Sequence, residues 1–161
     1  MSTRRYVFGD PEVCTGCMIC SMTCSMHFHK VISPEQARNR VVRLENGLDF
    51  PLFCRNCEDA PCIEACPVEA IRRNSKGIVI IDKNKCKGHG DCIKACPYDA
   101  IKINPDTGKA IKCIQCGQCI KRCPVFAIWM TTDEGLERKD KDGRLKSLYE
   151  KHEDALYGGA E

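Results

Sequence analysis

Four cysteine quartets carry the chemistry this chain is equipped for, and they use all 15 of its cysteines. The first is Cys14, Cys17, Cys20 and Cys24, spaced C-x2-C-x2-C-x3-C, and the fourth, Cys113, Cys116, Cys119 and Cys123, repeats it. The second, Cys54, Cys57, Cys62 and Cys66, widens the middle gap to four residues. The third keeps Cys86, Cys92 and Cys96 in register but places His89 where a second thiol is expected. Cys66, Cys96 and Cys123 are each followed by proline, whereas Cys24 is followed by Ser25.

Such a triple-thiol turn wraps the chain around one iron-sulfur cluster, and the cysteine three residues on ligates the neighbouring cluster in two-cluster ferredoxins. Motifs of this kind come in pairs, so four of them predict four clusters, at least three of them 4Fe-4S. Structural zinc would favour two separated C-x2-C knuckles, and a disulfide framework an even cysteine count in an oxidising compartment. Neither fits 15 thiols in this spacing. The second and third quartets both end in Cys-Pro-x-x-Ala-Ile and read as one ferredoxin unit, which leaves the first and fourth as the other. The third cluster then draws on Cys86, His89 and Cys92, with Cys66 as its remote ligand.

His89 has three readings. Its imidazole replaces a thiolate on iron, as in Rieske centres; the cluster lacks that iron and is 3Fe-4S; or the histidine sits nearby while another group completes a cubane. Ligation by a neutral imidazole would raise that cluster's potential. Gly88 and Gly90 beside it are expected to let the backbone approach the cluster closely. His27 and His29, after the first quartet, read as hydrogen-bonded or surface side chains rather than ligands.

The elements that position these loops are short. Tyr6 to Phe8 reads as a strand, and Ser33 to Arg40 as a short helix with Pro34 at its first position. A hairpin follows around Asn46-Gly47, with further hairpins around Asn74 to Gly77 and Asn104 to Gly108. The expected fold is α+β: two interleaved bacterial-ferredoxin-like units of short helices and hairpins, spanning residues 1–130. Residues 131–161 form a charged extension in which Leu145, Leu148, Tyr149, His152 and Leu156 recur at helical spacing, as on a solvated or docking helix.

Hydrophobic residues, cysteines included, make up 43% of the chain and aromatics 6%. An ordinary core would be thin, so metal ligation is expected to supply much of the folding free energy. The net charge of +3 is interspersed, without the basic stripe that nucleic-acid binding requires. No apolar run is long enough for a membrane span. Arg4-Arg5 lacks the apolar stretch of an export signal, so a cytoplasmic protein is expected. There is no nucleophile-base pair, phosphate loop, or molybdopterin or flavin signature.

The four quartets, the missing proline in the first, and its run of Cys20, Cys24, Ser25 and His27 resemble the four-cluster ferredoxin-type electron-transfer subunits of multi-subunit oxidoreductases. That family serves tungsten-containing aldehyde oxidoreductases, carbon monoxide dehydrogenase and molybdopterin enzymes. The resemblance covers roughly residues 5–130 and is specific for the cofactor rather than the partner. It implies a non-catalytic subunit relaying single electrons between a catalytic subunit, best matched by a tungsten-dependent aldehyde oxidoreductase with a molybdopterin enzyme or carbon monoxide dehydrogenase as alternatives, and an acceptor such as a flavin- or NAD-linked subunit. A free polyferredoxin shuttle is the alternative.

Overall fold

Asparagine and glycine set the turns that join most of the strands. The chain is described by a computed structural model over residues 4–139. Its strands are β1 (Tyr6–Gly9), β2 (Arg40–Arg43), β3 (Asp49–Leu52), β4 (Ile71–Arg73), β5 (Val79–Ile81), β6 (Ile101–Ile103), β7 (Ala110–Lys112) and β8 (Ile128–Thr131). Its α-helices are α1 (Ile19–His29), α2 (Pro61–Glu64), α3 (Asp91–Lys94) and α4 (Asp133–Lys139). Between β4 and β5, Asn74 Oδ1 accepts from the N–H groups of Lys76 and Ile78. Between β6 and β7, Asn104 Oδ1 accepts from Asp106 and Thr107. A side chain bonding its own turn in this way preorganises the hairpin.

Among the described residues the strands form four two-stranded antiparallel sheets, β1-β8, β2-β3, β4-β5 and β6-β7. Three are local hairpins. The fourth pairs Tyr6 with Thr131 and Gly9 with Ile128, joining the two ends of the described chain. Strand β1 is buried at every position. Tyr6, Phe8, Phe50 and Leu52 pack together with Leu136 of α4, forming the one core cluster without a cysteine among the described residues. The other two clusters are built around cysteines.

Two elements differ from their sequence reading. The helix expected over Ser33 to Arg40 is one 3-10 turn, Pro34–Gln36, before β2 begins at Arg40. A continuing α-helix would pair the Arg38 N–H with the Pro34 carbonyl. Instead Arg38 N–H donates to Cys24 Sγ at 3.2 Å, and the Pro34 carbonyl accepts from Ala37 N–H and Lys102 Nζ. The chain beyond residue 130 also begins as part of the packed body: β8 runs to Thr131, Leu136 is buried, and Arg4 pairs with Asp133. The stripe from Leu145 to Leu156 lies outside the described residues.

Candidate metal centres

Each cysteine loop enters the left-handed backbone region twice, at equivalent places. Two residues after the first cysteine stand Gly16, Asn56, Gly88 and Gln115; two residues before the third stand Met18, Ala60, Gly90 and Gly117. All eight have positive φ. These residues bracket the second position of each loop, held by Cys17, Cys57, His89 and Cys116. Successive turns of this kind aim N–H groups inward, as anion-binding nests do. Asn56 N–H donates to Cys54 Sγ and Gln115 N–H to Cys113 Sγ, both at 3.4 Å. The alanine of Cys-Pro-x-x-Ala has a matching duty: Ala70 N–H bonds Cys66 Sγ at 3.3 Å, and Ala100 N–H bonds Cys96 Sγ at 3.4 Å. In the first quartet no proline stops the helix, so α1 runs for 11 residues and Cys24 takes its bond from Arg38 instead.

The structure brings the quartets together with their last cysteines exchanged. Burial raises the Cys14 pKa most, and Asp49, Cys17 and Cys123 add to the shift. Cys24 is also raised chiefly by burial, and the Cys116 thiolate adds to the rise. Around Cys119, likewise raised mainly by burial, lie Cys113, Cys20, Cys116 and Cys24. Burial pushes the Cys62 thiol up to about 12, with Cys54, Cys96 and Cys57 nearby and Lys112 opposing the rise. Cys92, raised first by burial, lies beside Cys66 and Cys86. Four groupings result: Cys14, Cys17 and Cys20 with Cys123; Cys113, Cys116 and Cys119 with Cys24; Cys54, Cys57 and Cys62 with Cys96; and Cys86, His89 and Cys92 with Cys66.

The donor set fits iron-sulfur clusters better than a single ion. None of the fifteen cysteines forms a disulfide. Among the described residues no three His, Cys, Asp or Glu side chains lie close enough to hold one metal ion. Tetrahedral thiolates on one zinc stand only about 3.8 Å apart, given metal-sulfur bonds of about 2.3 Å. Here the sulfurs face one another across pockets. Cys54, Cys57, Cys62 and Cys96 line one, and Cys66, Cys86, His89 and Cys92 line another. Soft thiolates around a compact space, several of them taking backbone N–H bonds, suit a cubane.

His89 is exposed, as are Cys17 and Cys116 at the same loop position. A Cβ on Gly88 would strike the Gly108 carbonyl of the β6-β7 turn, whereas a Cβ on Gly90 would meet no protein atom within 4 Å. His29 Nε2 is buried without a hydrogen-bond partner, and burial together with Lys83 and Arg38 lowers its pKa. His27 packs edge-on against Phe28.

Sequence reasoning missed the groups that surround the sulfurs. Gln115 joins the second and fourth loops through the Cys54 carbonyl, and Lys112 is 2% exposed next to Cys113. Arg38 stacks on Phe28 with its guanidinium 3.8 Å from the ring centroid. Only the position of Lys112 directly before a quartet offered a signal.

Residues 46–133, more than half of the chain, match the family described as "4Fe-4S dicluster domain", and residues 11–27 match a "4Fe-4S binding domain". The chain is 36% identical over 114 residues to the "Aliphatic sulfonate oxidoreductase, polyferredoxin-like subunit" of Pyrococcus furiosus, covering 70% of this chain and 66% of that protein. It is 33% identical over 125 residues to "Thiosulfate reductase electron transfer subunit PhsB" of Salmonella typhi, covering 71% and 64%. A solved chain of the active site complex BamBC of benzoyl coenzyme A reductase is similar at 22% identity and a TM-score of 0.45, covering 86% of this chain and 88% of that one. The match spans about two thirds of the length of these two curated relatives.

Proposed function

Because the chain belongs to the 4Fe-4S dicluster domain family, we propose that it is an electron-transfer subunit holding four iron-sulfur clusters and relaying single electrons for a catalytic oxidoreductase subunit. The observation that carries this is the fourfold loop with its exchanged last cysteine. When bound, each cluster supplies a one-electron couple. The protein holds the thiolates, directs N–H groups at their sulfurs, and excludes water from most of them.

The groupings support a linear order. The first and fourth quartets exchange Cys24 and Cys123, and the second and third exchange Cys66 and Cys96. The two halves meet where Cys54 influences Cys113 and where Gln115 bonds the Cys54 carbonyl. The order runs from the first loop through the fourth and second to the third, which places His89 at one end. The relatives' names speak for a catalytic partner of the reductase or oxidoreductase type, and a tungstopterin aldehyde oxidoreductase is the proposed one, with a flavin- or NAD-linked acceptor. Among the described residues no helix is long and apolar enough to cross a membrane.

Iron and sulfide quantitation on anaerobically purified protein tests the cofactor: about sixteen irons per chain are expected for four cubanes. About fifteen irons, with a 3Fe-4S signal lost in His89→Cys, would remove His89 as a ligand. Native co-purification tests the partner. Recovery of the chain alone would favour a free shuttle, while a co-purifying subunit containing tungsten would support the proposed complex.

A further inference from the structure

We infer that Arg38, Lys102 and Lys112 form a cationic cage that makes the cluster of Cys24, Cys113, Cys116 and Cys119 the first in the relay to accept an electron. The inference rests on the four-cluster reading and adds the place where the electron settles.

Arg38 is half-buried and stacks on Phe28, and its backbone N–H bonds Cys24 Sγ. Its guanidinium feels the thiolates of Cys24, Cys113 and Cys116 together, and its buried Nε has no hydrogen-bond partner. Lys102 Nζ is fixed by the carbonyls of Pro34 and Asn39, at 2.9 and 3.3 Å, within the influence of Cys24. Lys112, 2% exposed, gives Nζ to the Cys113 carbonyl at 3.0 Å and acts on both Cys113 and Cys62. None of the three takes part in the ion pairs found among the described residues, which join Arg4 to Asp133, Arg40 to Asp99 and Arg43 to Asp49.

Buried cations are costly unless anions compensate them. The anions acting on Arg38 are the thiolates of Cys24, Cys113 and Cys116, and Lys102 answers to Cys24 and to Glu35. The remaining groupings have a weaker cationic setting. Asp49, paired with Arg43, stands beside Cys14; Asp59 stands beside Cys57; Asp99, paired with Arg40, stands beside Cys96, where Arg55 also lines the pocket; and the charges acting on Cys92 are Cys66 and Cys86. Reduction adds a negative charge, so nearby cations favour it, most strongly where solvent screening is poor. A trap near the middle of the wire would hold one electron until either end is ready to pass it on.

The competing source of a raised potential is His89, and one experiment separates the two. The loaded full chain is titrated with dithionite under EPR in the wild type and in the Arg38→Met, Lys112→Met and His89→Cys variants. The first signal to appear on lowering the potential is expected to shift downward in Arg38→Met and Lys112→Met, by at least tenfold in its reduced-to-oxidised ratio, about 59 mV for one electron. It stays in place in His89→Cys. Arg38→Lys and Lys112→Arg, which keep the charge, restore it. Lys112→Gln and Arg38→Gln give the same readout if a methionine variant fails to fold. A first signal that moves only in His89→Cys, or a uniform shift of every signal, overturns the inference. A wild type without clusters would instead overturn the four-cluster reading.

Discussion

Gln115 Nε2 donates to the Cys54 carbonyl at 2.6 Å, joining two cysteine loops 61 residues apart. The same side chain accepts the Val7 N–H through Oε1 at 2.6 Å, so strand β1 is tied to both loops. Gln115→Ala would leave a buried donor and a buried acceptor unpaired, at about 1–3 kcal/mol each. We expect a lower melting temperature and faster iron loss in the loaded protein. Gln115→Glu should show an intermediate loss, since it keeps the acceptor for Val7. An alanine variant melting like the wild type would show that the two loops meet without this link.

Gly88 is the second test of loop geometry. It has positive φ, and an added Cβ would run into the Gly108 carbonyl. Both the backbone region and the steric contact oppose a side chain, so Gly88→Ala should destabilise the third loop by about 2–4 kcal/mol. Iron quantitation should show the loss confined to one cluster. Gly90→Ala, which meets no neighbouring atom, pays only the backbone part and should lose less.

The thiol pattern made the loops, the candidate ligands and the hairpin turns legible, because spacing and turn chemistry are local. Asn74 and Asn104 organise their turns as their residue types predict. Features set by distant parts of the chain were not legible. Arg38 gives its N–H to Cys24 rather than to a helix, and Leu136 fills a core whose other members come from β1 and β3. Neither partner lies within a sequence window. Gly88 shows the same limit, since its need for a missing Cβ comes from Gly108 on another hairpin.

Ser25 shows why the first quartet departs from Cys-Pro. It is fully buried inside α1, its Oγ donating to the Met22 carbonyl and accepting from Ser33 N–H, both at 3.1 Å. Ser25→Pro would match the other three quartets in sequence but remove a helical N–H and clash with the preceding turn, for about 3 kcal/mol or more. The expected result is loss of helical circular dichroism and of stability. Unchanged unfolding in denaturant would mean that α1 does not need to run through this position.

Phe126 should respond in the opposite direction. It is 83% exposed and has positive φ, at the position equivalent to Glu69 and Asp99. Replacement by glycine relieves about 1–2 kcal/mol of left-handed strain against about 0.5–1 kcal/mol of added unfolded-state entropy. Phe126→Gly should raise the denaturation midpoint slightly. A lower midpoint would show that the ring contributes packing within the isolated chain.

Proton release should accompany cluster loading. Burial first, then neighbouring thiolates, push Cys62 and Cys113 up to about 12 and Cys20 and Cys57 up to about 11. These groups are protonated thiols near neutrality, and metal binding requires thiolates. Apparent loading affinity should therefore rise steadily from pH 6 to pH 9, with protons appearing in weakly buffered solution. The metal-free chain has the opposite dependence. With folded-state values above the ordinary thiol value, its stability is full below that value and is lost as pH rises towards about 12. Reconstitution at several pH values, followed by iron content and by alkaline unfolding of the metal-free chain, measures both slopes. Loading that is flat between pH 6 and 9 would mean that the thiols are already ionised before metal arrives.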